Sequence, residues 1–190
     1  MPNSLHPILV SLWIAGALVW AVGALTAKRA RRREPPAARM MHLAIAILAY
    51  GMVFRASFRP GPLNAFFIAP APAVEWTGLA LTAAGLGIAI FARVVLGRNW
   101  SGTVTVKQDH QLILRGPYAV VRHPIYSGLA LALLGTAIFY ARVGGLLGTA
   151  LAVFGWRLKS YTEEAFMERE FGAEYAVYKR RVKALIPLVW

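Results

Sequence analysis

Apolar residues run along this chain in long unbroken stretches, not in the alternation of a half-buried strand or the stripe of a surface helix. Leu5 to Ala27 holds no Asp, Glu, Lys or Arg, and at ~1.5 Å per residue it covers the ~30 Å hydrocarbon core of a bilayer. It reads as a first transmembrane helix. No basic segment precedes it, and a basic cluster follows, which is the pattern of an anchor and not of a cleaved signal peptide. Met40 to Phe54 is a shorter apolar run that crosses only if it tilts or if Arg39 and Arg55 snorkel. Arg59-Pro60-Gly61-Pro62 through Pro70-Ala71-Pro72 breaks any helix and predicts a loop on the far side, with Phe66 and Phe67 in the interface. Trp76 to Leu96 returns as a third span.

From Gly97 to Arg122 the chain turns polar. Ile125 to Trp156 is then apolar except for Arg142. As one helix it would be ~48 Å long, with an arginine and Gly144-Gly145 in mid-membrane, so a hairpin turning near Arg142 is expected. Its second arm, Val143 to Trp156, is only ~21 Å of helix and needs neighbours, to which Gly144 and Gly148 offer close contact. Arg157 to Trp190 is a charged tail. The expected architecture is an all-α integral membrane protein of five transmembrane helices. Residues 1–96 form helices one to three with a basic loop at 28–39. Residues 97–190 form a second half: loop 97–123, helical hairpin 124–158 and a helical tail 159–190.

Composition agrees: 58% of the 190 residues are hydrophobic and 15% charged, against a charged share of about 25% in soluble domains. The net charge of +13 would suggest nucleic acid in a soluble protein, but the basic residues sit between apolar runs with no interleaved aromatic face. Segments 28–39, 93–122 and 157–183 hold eighteen of the 21 Lys and Arg. They should lie on the cytoplasmic side, which leaves the chain start outside and its end inside. With no cysteine, disulfides, thiolate nucleophiles and thiolate metal sites are excluded. His6, His42, His110 and His123 show no metal-ligand spacing.

Three polar groups stand out beside the helix starts. The first is Gly116-Pro117-Tyr118 with Arg122-His123-Pro124-Ile125-Tyr126-Ser127-Gly128. Pro124 suits a first helical turn, and the positive end of that helix beside Arg122 and His123 can cradle an anion; a positive-inside arginine ahead of a proline-started helix is the plainer account. The second is Glu163-Glu164. At ~100° per residue, Glu163 and Glu170 fall within the arc of Phe166, Met167 and Phe171, with Glu164 at its edge and Glu168 and Arg169 opposite. A capping box of Ser160 and Glu163 would explain the same acids without function. The third is Phe171-Gly172-Ala173-Glu174-Tyr175 with Tyr178, whose tyrosines share a face and could be interface anchors.

Taken together, Arg122-His123-Pro124-x-Tyr126-x-Gly128, the short hairpin, Glu163-Glu164 and Phe171-Gly172-x-Glu174-Tyr175-x-x-Tyr178 resemble the isoprenylcysteine carboxyl methyltransferase family and its bacterial and archaeal relatives. The likeness covers residues 97–190, including Asn99-Trp100-Ser101; Met167 stands where relatives have leucine. It implies an integral membrane methyltransferase, in a bacterium one of the inner membrane, that uses S-adenosylmethionine and releases S-adenosylhomocysteine. Its acceptor would be a lipidic or isoprenoid substrate, methylated on its carboxylate. It further implies that Tyr118, His123, Pro124, Tyr126, Gly128, Arg157, Glu163, Glu164, Tyr175 and Tyr178 border the cofactor. Asn99, Trp100 and Arg122 would meet the substrate, and Arg122 and Glu163 would take part in the reaction. The only close Gly-x-Gly, Gly85-Leu86-Gly87, lies in an apolar helix after no strand, so it is no dinucleotide loop. Membrane reductases of sterol-like lipids share an Arg-His-Pro-x-Tyr-x-Gly-like segment and use NADPH, and with phospholipid or amine N-methyltransferases and a non-enzymatic scaffold they are the alternatives.

Overall fold

The computed structural model describes residues 5–25, 30–33, 35–54, 61–97, 105–107 and 112–187. Its five helices are α1 (His6–Leu25), α2 (Pro36–Phe54), α3 (Pro72–Leu96), α4 (Pro124–Tyr140) and α5 (Val143–Arg181). Three of them open on a proline, whose missing N–H costs nothing in the first turn. Starting at Pro36, α2 is 19 residues long and not confined to the apolar run from Met40, so its length suffices to cross without unusual tilt. By length and composition α1, α2 and α3 can each cross a membrane.

The helices pack through small residues. α3 and α4 run antiparallel with Gly78 and Gly85 facing Gly128 and Gly135. A Cβ on Gly78 would stand 2.5 Å from the Phe139 amide nitrogen, and one on Gly128 2.6 Å from that of Ala89. The backbones therefore touch, as lipid-solvated helices need when no hydrophobic effect drives them together. Thr82 and Thr136 lie across this seam with hydroxyls 3.2 Å apart, and Trp13 of α1 donates its indole N–H to Thr136 at 3.0 Å. Gly148 and Gly155 bring α5 against Ala49 and Ile45 of α2, while Gly145 meets Ala137 of α4. The close contact expected of Gly144 and Gly148 is thus distributed over Gly145, Gly148 and Gly155 and serves two partner helices.

The hairpin turns at Ala141 and Arg142 as expected, Ala141 taking φ 55°. Beyond it the second hairpin arm and the helical tail run on as one element, α5, as far as Arg181. Ser160 therefore lies inside a helix, bonding the Arg157 carbonyl at 2.8 Å, and caps nothing. The helix bends only at Gly172, with φ 49° and ψ −121°, a conformation that glycine alone adopts cheaply.

Loop pairings fix which ends share a side. β1 (Ala30–Arg33) pairs antiparallel with β2 (Thr105–Lys107), a ribbon the sequence did not suggest, joining the two basic loops. Val121 bridges Lys183 on that same side, and Phe66 bridges Arg142 on the other. The backbone thus gathers the two basic loops with the end of α5, and the segment before α3 with the hairpin turn.

Candidate functional site

The α4 N-terminus and the middle of α5 meet in one polar cluster. Among the described residues Glu164 is the best-buried acid, its side chain 2% exposed. Its Oε1 accepts from Arg122 Nε at 3.0 Å and Nη2 at 2.8 Å and lies 3.0 Å from His123 Nε2. Its Oε2 pairs with Lys179 Nζ at 3.1 Å. Glu163, 24% exposed, lies 3.4 Å from His123 Nδ1 and accepts from the Tyr126 hydroxyl at 2.6 Å. One helical step thus separates a carboxylate saturated by protein cations from one with an open face. Glu170 is exposed, correcting the expectation that it turns inward with Glu163; the α5 bundle contact is centred on Glu164, which helical arithmetic had put at the edge.

Electrostatics follows from these partners. Burial would raise the Glu164 pKa, but hydrogen bonds from His123 and Arg122 outweigh it and hold the carboxyl at about 2. Glu163 is likewise held down against burial, by His123, Lys159 and Tyr126. Burial alone would lower His123, yet two flanking carboxylates raise it above its ordinary value. The two carboxylates therefore favour the charged imidazolium over the neutral ring.

Arg122 is nearly used up. Besides Glu164, its Nη1 donates to the carbonyls of Lys179, at 3.2 Å, and Val182, so four of its five N–H donors face protein. The segment after α5 returns to hold it: the amides of Arg122 and His123 donate to Lys183 O at 2.8 Å and Ala184 O at 2.9 Å, and Ser127 donates to Leu185 O at 2.5 Å. Tyr175 and Tyr178 are buried and not interface anchors; Tyr178 donates to Tyr118 O at 2.7 Å. The bend at Gly172 turns this stretch back toward α4.

His123, Tyr126 and Trp156 form a ladder of near-parallel rings, with centroids 5.6 and 5.8 Å apart. Trp156 and Lys179 were not anticipated. The signal for Trp156 was its spacing, seven residues before Glu163 on the same helical face; nothing local marks Lys179, which arrives through the bend. Among the expected site residues, Gly128 and Pro124 are buried, and Gly128 faces α3, so it sets helix distance. Arg157 lies over the Tyr161 ring, 3.5 Å from its centroid, and bonds Ser160. Asn99 and Trp100 fall outside the described residues.

Comparison with known proteins places this cluster in context. The sequence model of the family described as "Phospholipid methyltransferase" matches residues 74–174. A probable protein-S-isoprenylcysteine O-methyltransferase of Oryza sativa subsp. indica is 31% identical over 121 residues, covering 61% of this chain and 62% of that protein. The protein-S-isoprenylcysteine O-methyltransferase of Schizosaccharomyces pombe is 36% identical over 104 residues, covering 52% and 43%. The chain spans less than two thirds of the length of either. The solved structure of a eukaryotic intramembrane Ras methyltransferase, isoprenylcysteine carboxyl methyltransferase, aligns with TM-score 0.61 at 24% identity over 78% of this chain and 53% of that one. The chain has the all-helical fold of an integral membrane protein.

Proposed function

The chain belongs to the phospholipid methyltransferase family, and on that premise we propose that it methylates the carboxylate of a lipidic or isoprenoid substrate, with S-adenosylmethionine as donor. The observation that carries this reading is the joining of His123 and Tyr126 at the mouth of α4 to Glu163 and Glu164 of α5.

The donor set fits this cofactor. S-adenosylmethionine brings a methyl group on a sulfonium that leaves as a neutral thioether, together with a cationic amino group and a flat base. An ionised Glu163 with an open face complements positive charge, and the Tyr126–Trp156 ladder offers flat apolar surface. The same acid opposes the phosphates of NADPH, and Arg122 has almost no donor to spare for them, which favours methyl transfer over hydride transfer.

The residues also bear on the acceptor. An amine must lose a proton before attack, and a base is needed for that. Glu163 is held below the usual carboxylate range, and two carboxylates push His123 above its ordinary value, so Glu163 is a weak base and the His123 ring favours keeping a proton over taking one. A carboxylate, ionised at neutral pH from a reference pKa of about 4, needs none. The work left to the protein is to align the acceptor and exclude water. Tyr126 and His123 orient Glu163, and Glu164 holds Arg122, which keeps a single donor for positioning. That economy is useful, because attraction to a charge that disappears in the transition state would stabilise the ground state more. The relatives' names, O-methyltransferases, agree with an oxygen acceptor.

In this reading α4 and the first arm of α5 cross the membrane as a hairpin, the site faces the cytoplasm, and the chain starts outside. The test is calorimetry of the detergent-solubilised protein with S-adenosylhomocysteine and, separately, NADPH. Binding of S-adenosylhomocysteine that weakens on Glu163→Gln is the expected result; binding of NADPH alone overturns the proposal.

A further inference from the structure

The β1–β2 ribbon, where the two basic loops meet, lies outside the polar cluster. β1 is Ala30-Arg31-Arg32-Arg33 and β2 is Thr105-Val106-Lys107. The register sets Arg32 opposite Val106, Arg33 opposite Thr105 and Lys107 opposite Ala30, and it shifts across Arg31. Each of these paired basic residues thus stands opposite an uncharged one, and no acid occurs in either strand. Successive residues of a strand alternate between faces, so Arg32 and Arg33 give both faces of the ribbon an arginine.

The charge there is not balanced locally. Segments 28–39 and 97–115, which contain the two strands, hold nine Lys and Arg against two acids, Glu34 and Asp109. Even with both acids paired, seven basic residues find no acid within the loops that carry them.

Chain length fixes where that charge stands. The 19 residues of α2 span ~28 Å at ~1.5 Å per residue, close to the ~30 Å hydrocarbon thickness. With α2 across the membrane, Pro36 lies at the edge of the hydrocarbon. Arg33 is three Cα steps earlier, at most ~11 Å away. The headgroup layer is itself about 5–7 Å deep on each side, and the Debye length is ~8 Å at physiological ionic strength. Arg33 is therefore within electrostatic reach of lipid headgroups whichever way the loop turns.

The ribbon also has a mechanical path to the cluster. β2 lies beside α5, the helix that carries Glu163 and Glu164, and its loop runs on into Tyr118, Arg122 and His123.

We propose that the β1–β2 ribbon, through Arg31, Arg32, Arg33 and Lys107, is a contact surface for the phosphate headgroups of anionic lipids in the membrane that holds the chain. We propose further that this contact steadies α5 and so tightens cofactor binding; that second part rests on the methyltransferase reading, the first does not. Arginine forks match phosphate oxygens bidentately, and a cluster of about four or more basic residues beside a membrane helix is the size that selects anionic headgroups.

The test places the full chain in nanodiscs of phosphatidylcholine alone, or of equal parts phosphatidylcholine and phosphatidylglycerol, and reads the unfolding midpoint and the S-adenosylhomocysteine affinity. Phosphatidylglycerol is expected to raise the midpoint by roughly 5 °C and to tighten S-adenosylhomocysteine about fivefold. Both gains should vanish at about 1 M NaCl, where the Debye length is ~3 Å. They should also vanish in the Arg31→Gln/Arg32→Gln/Arg33→Gln variant, which should match the parent protein in phosphatidylcholine alone. Arg180→Gln/Arg181→Gln removes two exposed basic residues outside the ribbon and should keep both gains. Gains that survive in the triple variant, or that the Arg180/Arg181 variant loses as fully, overturn the proposal. So does a gain that inorganic phosphate or an oligonucleotide reproduces in phosphatidylcholine discs. Should the triple variant not fold, the parent protein decides, since a gain undiminished by salt overturns the proposal on its own. A midpoint gain without an affinity gain overturns the link through α5. If S-adenosylhomocysteine binds in neither lipid, the methyltransferase reading fails instead, and the midpoint alone judges the ribbon.

Discussion

Glu164→Gln isolates the electrostatic part of the cluster, because it preserves shape and removes one charge. The Glu164 carboxyl is held at about 2 against an ordinary 4.5, and at 1.36 kcal/mol per pH unit this gap converts to about 3 kcal/mol. The independent expectation for breaking a buried pair is roughly 3–5 kcal/mol, and Arg122, only 8% exposed, would be left without its counter-charge. Lys179, 40% exposed, adds little. A group whose folded pKa is depressed stabilises fully above its unfolded value and loses that contribution as pH falls through the folded one. The stability gap between parent and variant should therefore be about 3 kcal/mol at pH 7 and shrink between pH 4.5 and about 2. Denaturant unfolding in detergent, followed by tryptophan fluorescence at several pH values, measures it. A variant as stable as the parent at pH 7, or a gap that does not change with pH, would refute the assignment of Glu164 as the anchor of Arg122.

Glu163→Gln, at a half-open position, should cost only about 1 kcal/mol of stability while weakening S-adenosylhomocysteine binding; a stability loss equal to that of Glu164→Gln would erase the distinction between the two acids. His123 has a raised pKa, so its contribution is complete below about 6.5 and is lost as pH rises through the folded value. Relative to His123→Gln, the parent protein should lose its advantage on the alkaline side, and an advantage that grows with pH would contradict the imidazolium. Gly172→Ala forces a side chain into a positive-φ position at about 1–2 kcal/mol and should lower the unfolding midpoint, whereas an unchanged midpoint would mean the bend is not needed. Gly128→Leu should leave no monodisperse protein on size exclusion, since its Cβ collides with α3 backbone, while Gly51→Ala, which meets nothing within 4 Å, should be silent.

What the sequence settled on its own follows from the bilayer as solvent. Hydrocarbon demands long apolar helices with every backbone group satisfied internally, so the apolar helices and the hairpin turn at Arg142 could be read from residue type alone. The cluster was legible as three motifs but not as an arrangement. Helical periodicity constrains angle about one axis and says nothing of which neighbour a face meets. That is why Glu164 was placed at the margin and proved to be the centre, and why Glu170 was expected inside. Contacts that need a change of direction were decided only in three dimensions. The bend at Gly172 delivers Lys179 and the segment 182–185 to Arg122 and Ser127, and the pairing of α2 with α5 leaves a cavity between them. Gly128 shows the same limit: its place in a motif suggested a ligand contact, but the backbone of α3 behind it leaves room for nothing larger than hydrogen.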